Sequence, residues 1–153
     1  MAKAEYPGLK VGLCQVYTEE WAVEANLQRT LQAVEAAAGQ GAEIAVTPEC
    51  VLHGYADTTA EGYHRRMLAA AEPLDGPHLQ ALRDQAHRLG IYLLAGFAEL
   101  GGQGRVHNAA AFISPRGDLL SVYRKVHCRP FEDANSQGLF TPGDEFTVTD
   151  IQV

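Results

Sequence analysis

Two short apolar runs with an amphipathic helix between them constrain this chain more than any other feature. Residues 10–16, Lys-Val-Gly-Leu-Cys-Gln-Val, fit a buried strand. Leu27, Leu31, Val34 and Ala38 then recur at three- and four-residue steps and so share one face of a helix. Gly39 and Gly41 can end that helix, because glycine accepts the left-handed conformation a helix terminus often needs. Residues 43–47, Glu-Ile-Ala-Val-Thr, read as a second buried strand stopped by Pro48. Strand, helix, strand in this rhythm makes a crossover unit and lays a helix over a sheet.

The rest of the chain extends that sheet. A helix is expected over 60–71, ended by Pro73 and Gly76. Asp75-Gly76-Pro77 opens another, with Leu79, Leu82, Ala86 and Leu89 facing inward and Gly90 closing it. Residues 91–98 are apolar throughout and predict a central strand, followed by a glycine-rich turn over 101–104. Residues 106–113 and 119–123 form a hairpin across the turn at 114–118. Crossover units followed by hairpins imply a mixed α/β sheet, and without internal repeat or linker residues 1–153 read as one domain. Residues 146–153 read as a further strand in which the chain stops, leaving an uncovered sheet edge, so the chain looks like part of something larger.

Composition excludes several classes. With 46% hydrophobic and 20% charged residues spread along 153 positions, the chain can bury a core and is not disordered. No apolar run approaches the roughly 20 residues that span a bilayer, and residues 1–7 lack the apolar region of a signal peptide. The net charge of −7, with no basic stripe, argues against nucleic acid and anionic membrane as partners. Three cysteines, Cys14, Cys50 and Cys128, fit reduced thiols, so a cytoplasmic location is expected.

Two positions stand out as candidates for chemistry. Glu49 follows a very apolar strand, where open α/β sheets place their ligands; burial there would raise its pKa and suit it to general base work. The alternative is a Glu that starts a surface loop or caps a helix. Lys125, at the end of a hairpin strand, could hold an oxyanion or a carboxylate, or could belong to a solvated basic turn. Six His and three Cys show no C-x-x-C or H-x-x-x-H pair, so no metal site is expected. Cys14 reads as a small core residue, the glycines at 101–104 precede no helix, and Arg116-Gly117-Asp118 is a hairpin turn.

Taken together, several stretches resemble the nitrilase, or carbon–nitrogen hydrolase, superfamily. Val11-Gly12-Leu13-Cys14-Gln15 is similar to its first strand, and Asn26 to the residue that opens its first helix. Residues 41–49, Gly-Ala-Glu-Ile-Ala-Val-Thr-Pro-Glu, followed by Gly54-Tyr55, resemble its "gadlivfPE" stretch. Asn108-Ala109-Ala110, Tyr123-Arg124-Lys125-Val126-His127 and Phe140-Thr141-Pro142-Gly143-Asp144 resemble its "YN(S/T)A", "YRKxHL" and "F(T/S)PGD" stretches, in family order.

The resemblance implies a four-layer α-β-β-α sandwich of the nitrilase type, here incomplete at the C-terminus. It implies amidase-type hydrolysis by a Glu-Lys-Cys triad through a thioester, without cofactor, on a small amide or carbamoyl substrate. Glu49 would be the general base and Lys125 the cation at the tetrahedral intermediate. The family's nucleophile lies shortly after the point where this chain stops, and Cys14, Cys50 and Cys128 match non-catalytic positions. Cys50 adjoins Glu49, but neighbours on an extended segment point opposite ways. Many members carry a second Glu before the "F(T/S)PGD" stretch; Ser136 occupies that place, with Glu132 or Asp133 as a substitute. Tyr55 and Glu132 are the expected substrate-binding residues. Members commonly pair sandwich to sandwich, so a homo-oligomer is expected. The competing expectation is a non-catalytic homologue serving as a partner chain or binding module.

Overall fold

The computed structural model describes residues 8–136 and 138–151; the N-terminal stretch read above for a signal peptide lies outside them. Five strands form one sheet in chain order: β1 (Val11–Leu13), β2 (Ile44–Val46), β3 (Tyr92–Leu100), β4 (Val106–Ile113) and β5 (Leu119–Arg124). The first three run parallel, with Gly12 opposite Ala45 and Ala45 opposite Leu93. β3, β4 and β5 are antiparallel, with Ala98 opposite Asn108 and Ala110 opposite Tyr123.

Helix α1 (Val23–Gly39) makes the β1–β2 crossover, and α2 (Tyr63–Ala70) and α3 (Pro77–Leu89) lie between β2 and β3. α1 begins three residues before Asn26, which is no helix opener: buried in the first turn, it spans the backbone of Glu19 and Leu52 with its amide. Gly76 has no side chain to cap α3, and the buried Glu72 carboxylate accepts the N–H groups of His78 (2.7 Å) and Leu79 (3.3 Å) instead.

The core lies on one side of the sheet. Leu93, Ala95 and Phe97 of β3 and Ala109, Ala111 and Ile113 of β4 pack against Leu27, Val34, Leu79, Leu82 and Ala86 of α1 and α3. A smaller cluster joins Tyr63 and Met67 of α2 to Ala98, Val106 and Phe140. The other face carries Leu13, Val46, Leu94 and Phe112 in register across four strands, with Leu13 80% exposed. Among the described residues α1 and α3 thus form one helical layer on one sheet, two of the four layers implied by the resemblance.

Residues 146–151 make no strand, although Phe146 and Val148 alternate as a strand would; Gln152 and Val153 lie outside the described residues. An alternating pattern becomes a strand only where a neighbour offers a ladder. Here Phe146 and Val148 are 71% and 90% exposed, and the hydroxyls of Ser121 and Thr149, 2.7 Å apart, tie the segment to β5.

Candidate active site

Glu49 is set by the turn that follows β2. The Thr47 N–H donates to the Leu94 carbonyl, the Thr47 hydroxyl accepts the Gly96 N–H, and the Val51 N–H donates to the Gly96 carbonyl. These bonds fold the segment back across β3, so the backbone of residues 48–50 lies directly on Gly96. A Cβ at Gly96 would stand 2.5 Å from the Pro48 oxygen and 2.9 Å from the Glu49 Cα. Cys50 completes the bend with φ of +59°, a conformation costly for a residue with a side chain.

Lys125 follows β5 directly. Its N–H donates to the Asn108 carbonyl (2.8 Å) and its carbonyl accepts the Gly143 N–H (2.9 Å). A Cβ at Gly143 would fall 2.3 Å from the Arg124 oxygen, which explains the glycine in Thr141-Pro142-Gly143-Asp144. Next to Lys125, Arg124 makes two 2.6 Å bonds to the buried carboxylate of Glu99 and anchors the end of β5.

The fold brings four of the sequence-predicted residues together. Lys125 Nζ donates to Glu49 Oε1 and to Glu132 Oε2, both at 3.0 Å. The Tyr55 hydroxyl donates to Glu49 Oε2 at 3.0 Å. Glu132 is 4% exposed and its Oε2 also accepts the Arg129 N–H. Ser136 is exposed and outside the cluster, and the Asp133 carboxylate accepts the Asn135 N–H, so Glu132 is the second carboxylate beside the lysine. A fifth member carried no role in the sequence reading: Asn108 Nδ2 donates to Glu49 Oε1 at 2.5 Å. Its signal was an amide side chain in a strand, directly before the apolar run over 109–113.

The electrostatics reverse one expectation. Partial burial pushes the Glu49 carboxyl up. The donors Asn108, Lys125 and Tyr55 and the charge of Lys125 together outweigh that effect, so its pKa lies below the usual 4.5 rather than above it. Lys125 also loses hydration, yet its bonds to Glu132 and Glu49 raise its pKa and keep it an ammonium. Burial, then the negative charge of Glu49, pushes the Cys50 thiol far up. Cys50 therefore lies as a buried, protonated thiol in a left-handed bend, and not beside Glu49 on an extended segment as expected.

The cluster separates two hollows. One, of about 330 Å³, is bounded by Tyr55, Tyr63, Phe131 and Glu132, with His53 in its wall. The other, of about 370 Å³, runs along the uncovered sheet face over Leu94, Gly96, Ala110 and Tyr123. A fixed ammonium between two carboxylates, beside a cavity of ligand size, can stabilise a developing oxyanion while a neighbouring carboxylate moves a proton. Among the described residues no group of three or more His, Cys, Asp or Glu side chains is placed to hold a metal, and no helix is long and apolar enough to cross a membrane.

Residues 10–153 match the carbon-nitrogen hydrolase family. An (R)-stereoselective amidase from Pseudomonas sp is 34% identical over 139 residues, covering 91% of this chain and 46% of that protein. The omega-amidase NIT2 of Danio rerio is 35% identical over 102 residues, covering 67% of this chain and 34% of that protein. Among solved structures, Saccharomyces cerevisiae Nit3, a member of branch 10 of the nitrilase superfamily, matches with a TM-score of 0.76 at 25% identity, covering 93% of this chain and 51% of that one. A variant of the amidase from Nesterenkonia sp. AN1, with acrylamide added at its active site cysteine, matches with a TM-score of 0.73 at 22% identity, covering 90% of this chain and 51% of that one, and shares the fold. The chain spans about half the length of most of these proteins.

Proposed function

This chain belongs to the carbon-nitrogen hydrolase family, and from that premise we propose that it supplies the base and the cation of a centre that hydrolyses small amides or carbamoyl compounds. The observation that carries the reading is Lys125 Nζ, 3.0 Å from one carboxylate oxygen of Glu49 and one of Glu132. The nucleophile of this reading is a cysteine from a segment after residue 153. The carboxylate of Glu49 takes the thiol proton, and the thiolate attacks the amide carbon. The carbonyl π pair moves to oxygen, where Lys125 meets the new charge. As the ammonium turns to that oxyanion, its hold on Glu49 weakens, and the carboxylate becomes the stronger base the step needs.

Collapse of the intermediate breaks the carbon–nitrogen bond, and Glu49 returns its proton to the leaving amine. Water then gives a proton to Glu49 while its oxygen attacks the thioester; collapse releases the acid, and Glu49 returns the proton to the departing sulfur, restoring thiol and carboxylate. Glu132 keeps Lys125 in place throughout, and the substrate body occupies the hollow beside Tyr55. Homo-oligomeric assembly, by family resemblance, and a cytoplasmic location, from the odd number of widely spaced cysteines, belong to the same proposal.

The test uses the full natural chain and ammonia release from a panel of amides and carbamoyl compounds. Glu49→Gln and Lys125→Ala should each lower kcat/KM by about three orders of magnitude or more, because members of such a unit fail together. Near wild-type turnover in either variant refutes the assignment. The acid limb of kcat/KM should have its midpoint below the usual carboxylate value of 4.5, because the carboxyl of Glu49 is held below that value.

A further inference from the structure

Asn108 sits near the middle of the site, 6% exposed on β4, and touches both candidate catalytic residues. Its side-chain Nδ2 donates to Glu49 Oε1 at 2.5 Å, and its main-chain oxygen accepts the Lys125 N–H at 2.8 Å. Lys125 Nζ donates to the same Glu49 Oε1. Glu49 lies 59 residues from Asn108 and 76 from Lys125 along the chain, so one strand residue fixes their mutual geometry.

The two oxygens of Glu49 are not equivalent. Oε1 faces an amide NH₂ and an ammonium, groups that donate and cannot accept. A proton placed on Oε1 would point at other hydrogens. Oε2 faces the Tyr55 hydroxyl, which donates to a carboxylate and, after rotation, accepts from a carboxylic acid. From this geometry we propose that Asn108 is the positioning residue of the centre, fixing Glu49 relative to Lys125 and reserving Oε2 as the oxygen that takes and returns the proton. The proposal rests on the reading of Glu49 as the base. It adds which oxygen works and what selects it.

The experiment compares Asn108→Asp, Asn108→Ala and Tyr55→Phe in the full natural chain, with thermal melts to confirm folding. Carboxyl ¹³C titration of Glu49 is read independently of turnover. Its midpoint should rise in all three variants, because each loses a donor to the carboxylate. Asn108→Asp sets a carboxylate against Oε1, so hydrolysis near neutral pH should fall by about 100-fold, as for a misplaced catalytic group. It should recover in part on acidification, where the new carboxyl carries a proton and can donate again. Asn108→Ala should fall without that recovery.

An unmoved Glu49 midpoint in folded Asn108 variants, or identical pH profiles for Asn108→Asp and Asn108→Ala, overturns the role of Asn108. An unmoved midpoint in Tyr55→Phe, whose residue is 63% exposed and carries little of the core, overturns the reserved oxygen. If the unaltered protein hydrolyses no amide or carbamoyl compound, the functional reading fails, and the titration still decides the geometry.

Discussion

Gly96→Ala is the most direct probe of how the fold holds its carboxylate. The added Cβ would lie 2.5 Å from the Pro48 oxygen, 2.9 Å from the Glu49 Cα and 3.2 Å from the Cys50 nitrogen, whereas ordinary contact begins at 3.4 Å. Relief requires the Pro48 oxygen to retreat by about 0.9 Å, the difference between 3.4 and 2.5 Å. β3 is the central strand and is covered on its other side by α1 and α3, so the turn moves rather than the sheet. A displacement of that size along the Lys125–Glu49 bond would stretch 3.0 Å to about 3.9 Å, beyond hydrogen-bond range. Overpacking of this kind costs about 1–3 kcal/mol, and a misplacement of about 1 Å costs on the order of 100-fold in rate. Thermal melts and kcat/KM in the full natural chain measure the two effects. Gly39→Ala is the control, since its Cβ would meet nothing within 4 Å. A Gly96→Ala protein with wild-type stability and turnover refutes the claim that backbone contact at Gly96 positions Glu49.

Three further outcomes follow from the same geometry. Cys50→Ala should leave amide hydrolysis within a few-fold of wild type, because the buried, protonated thiol has no part in the chemistry; complete loss of turnover in a folded variant would count against this. Arg124→Ala leaves the 2%-exposed Glu99 carboxylate without its bidentate partner and should cost about 3 kcal/mol in denaturant unfolding, with Glu99→Gln restoring part of the loss in the double variant. The folded-state pKa of Glu49 lies below its usual 4.5, so its contribution to stability is complete above that pH and is lost as pH falls through the folded value. Glu49→Gln should therefore flatten the acid limb of a stability–pH curve, and an unchanged limb would contradict the sign.

Much of the fold was legible because its signals are local. The periodicity that marks α1 and α3, and the apolar runs that become β1 to β5, depend on neighbours within a few residues. The 146–151 stretch shows the limit of that reading. Its alternation is as regular as that of a true strand, but a strand needs a partner, and the partner is not encoded in the stretch itself.

The sequence by itself determined the crossover unit, the hairpin sheet, the family motifs and the candidacy of Glu49, Lys125, Tyr55 and Glu132. Tertiary structure alone decided how they meet. Strand order and register bring Asn108 and Lys125 to the turn that carries Glu49, and the loop at residues 129–133 supplies Glu132 rather than Ser136. It also decided the sign of the Glu49 shift. Position at the end of an apolar strand argues for a raised pKa, but three donors converging from Asn108, Lys125 and Tyr55 lower it. The reason is physical. Hydrophobic patterning is written in adjacent residues, whereas the energy of a charge depends on distances across the fold that only packing sets.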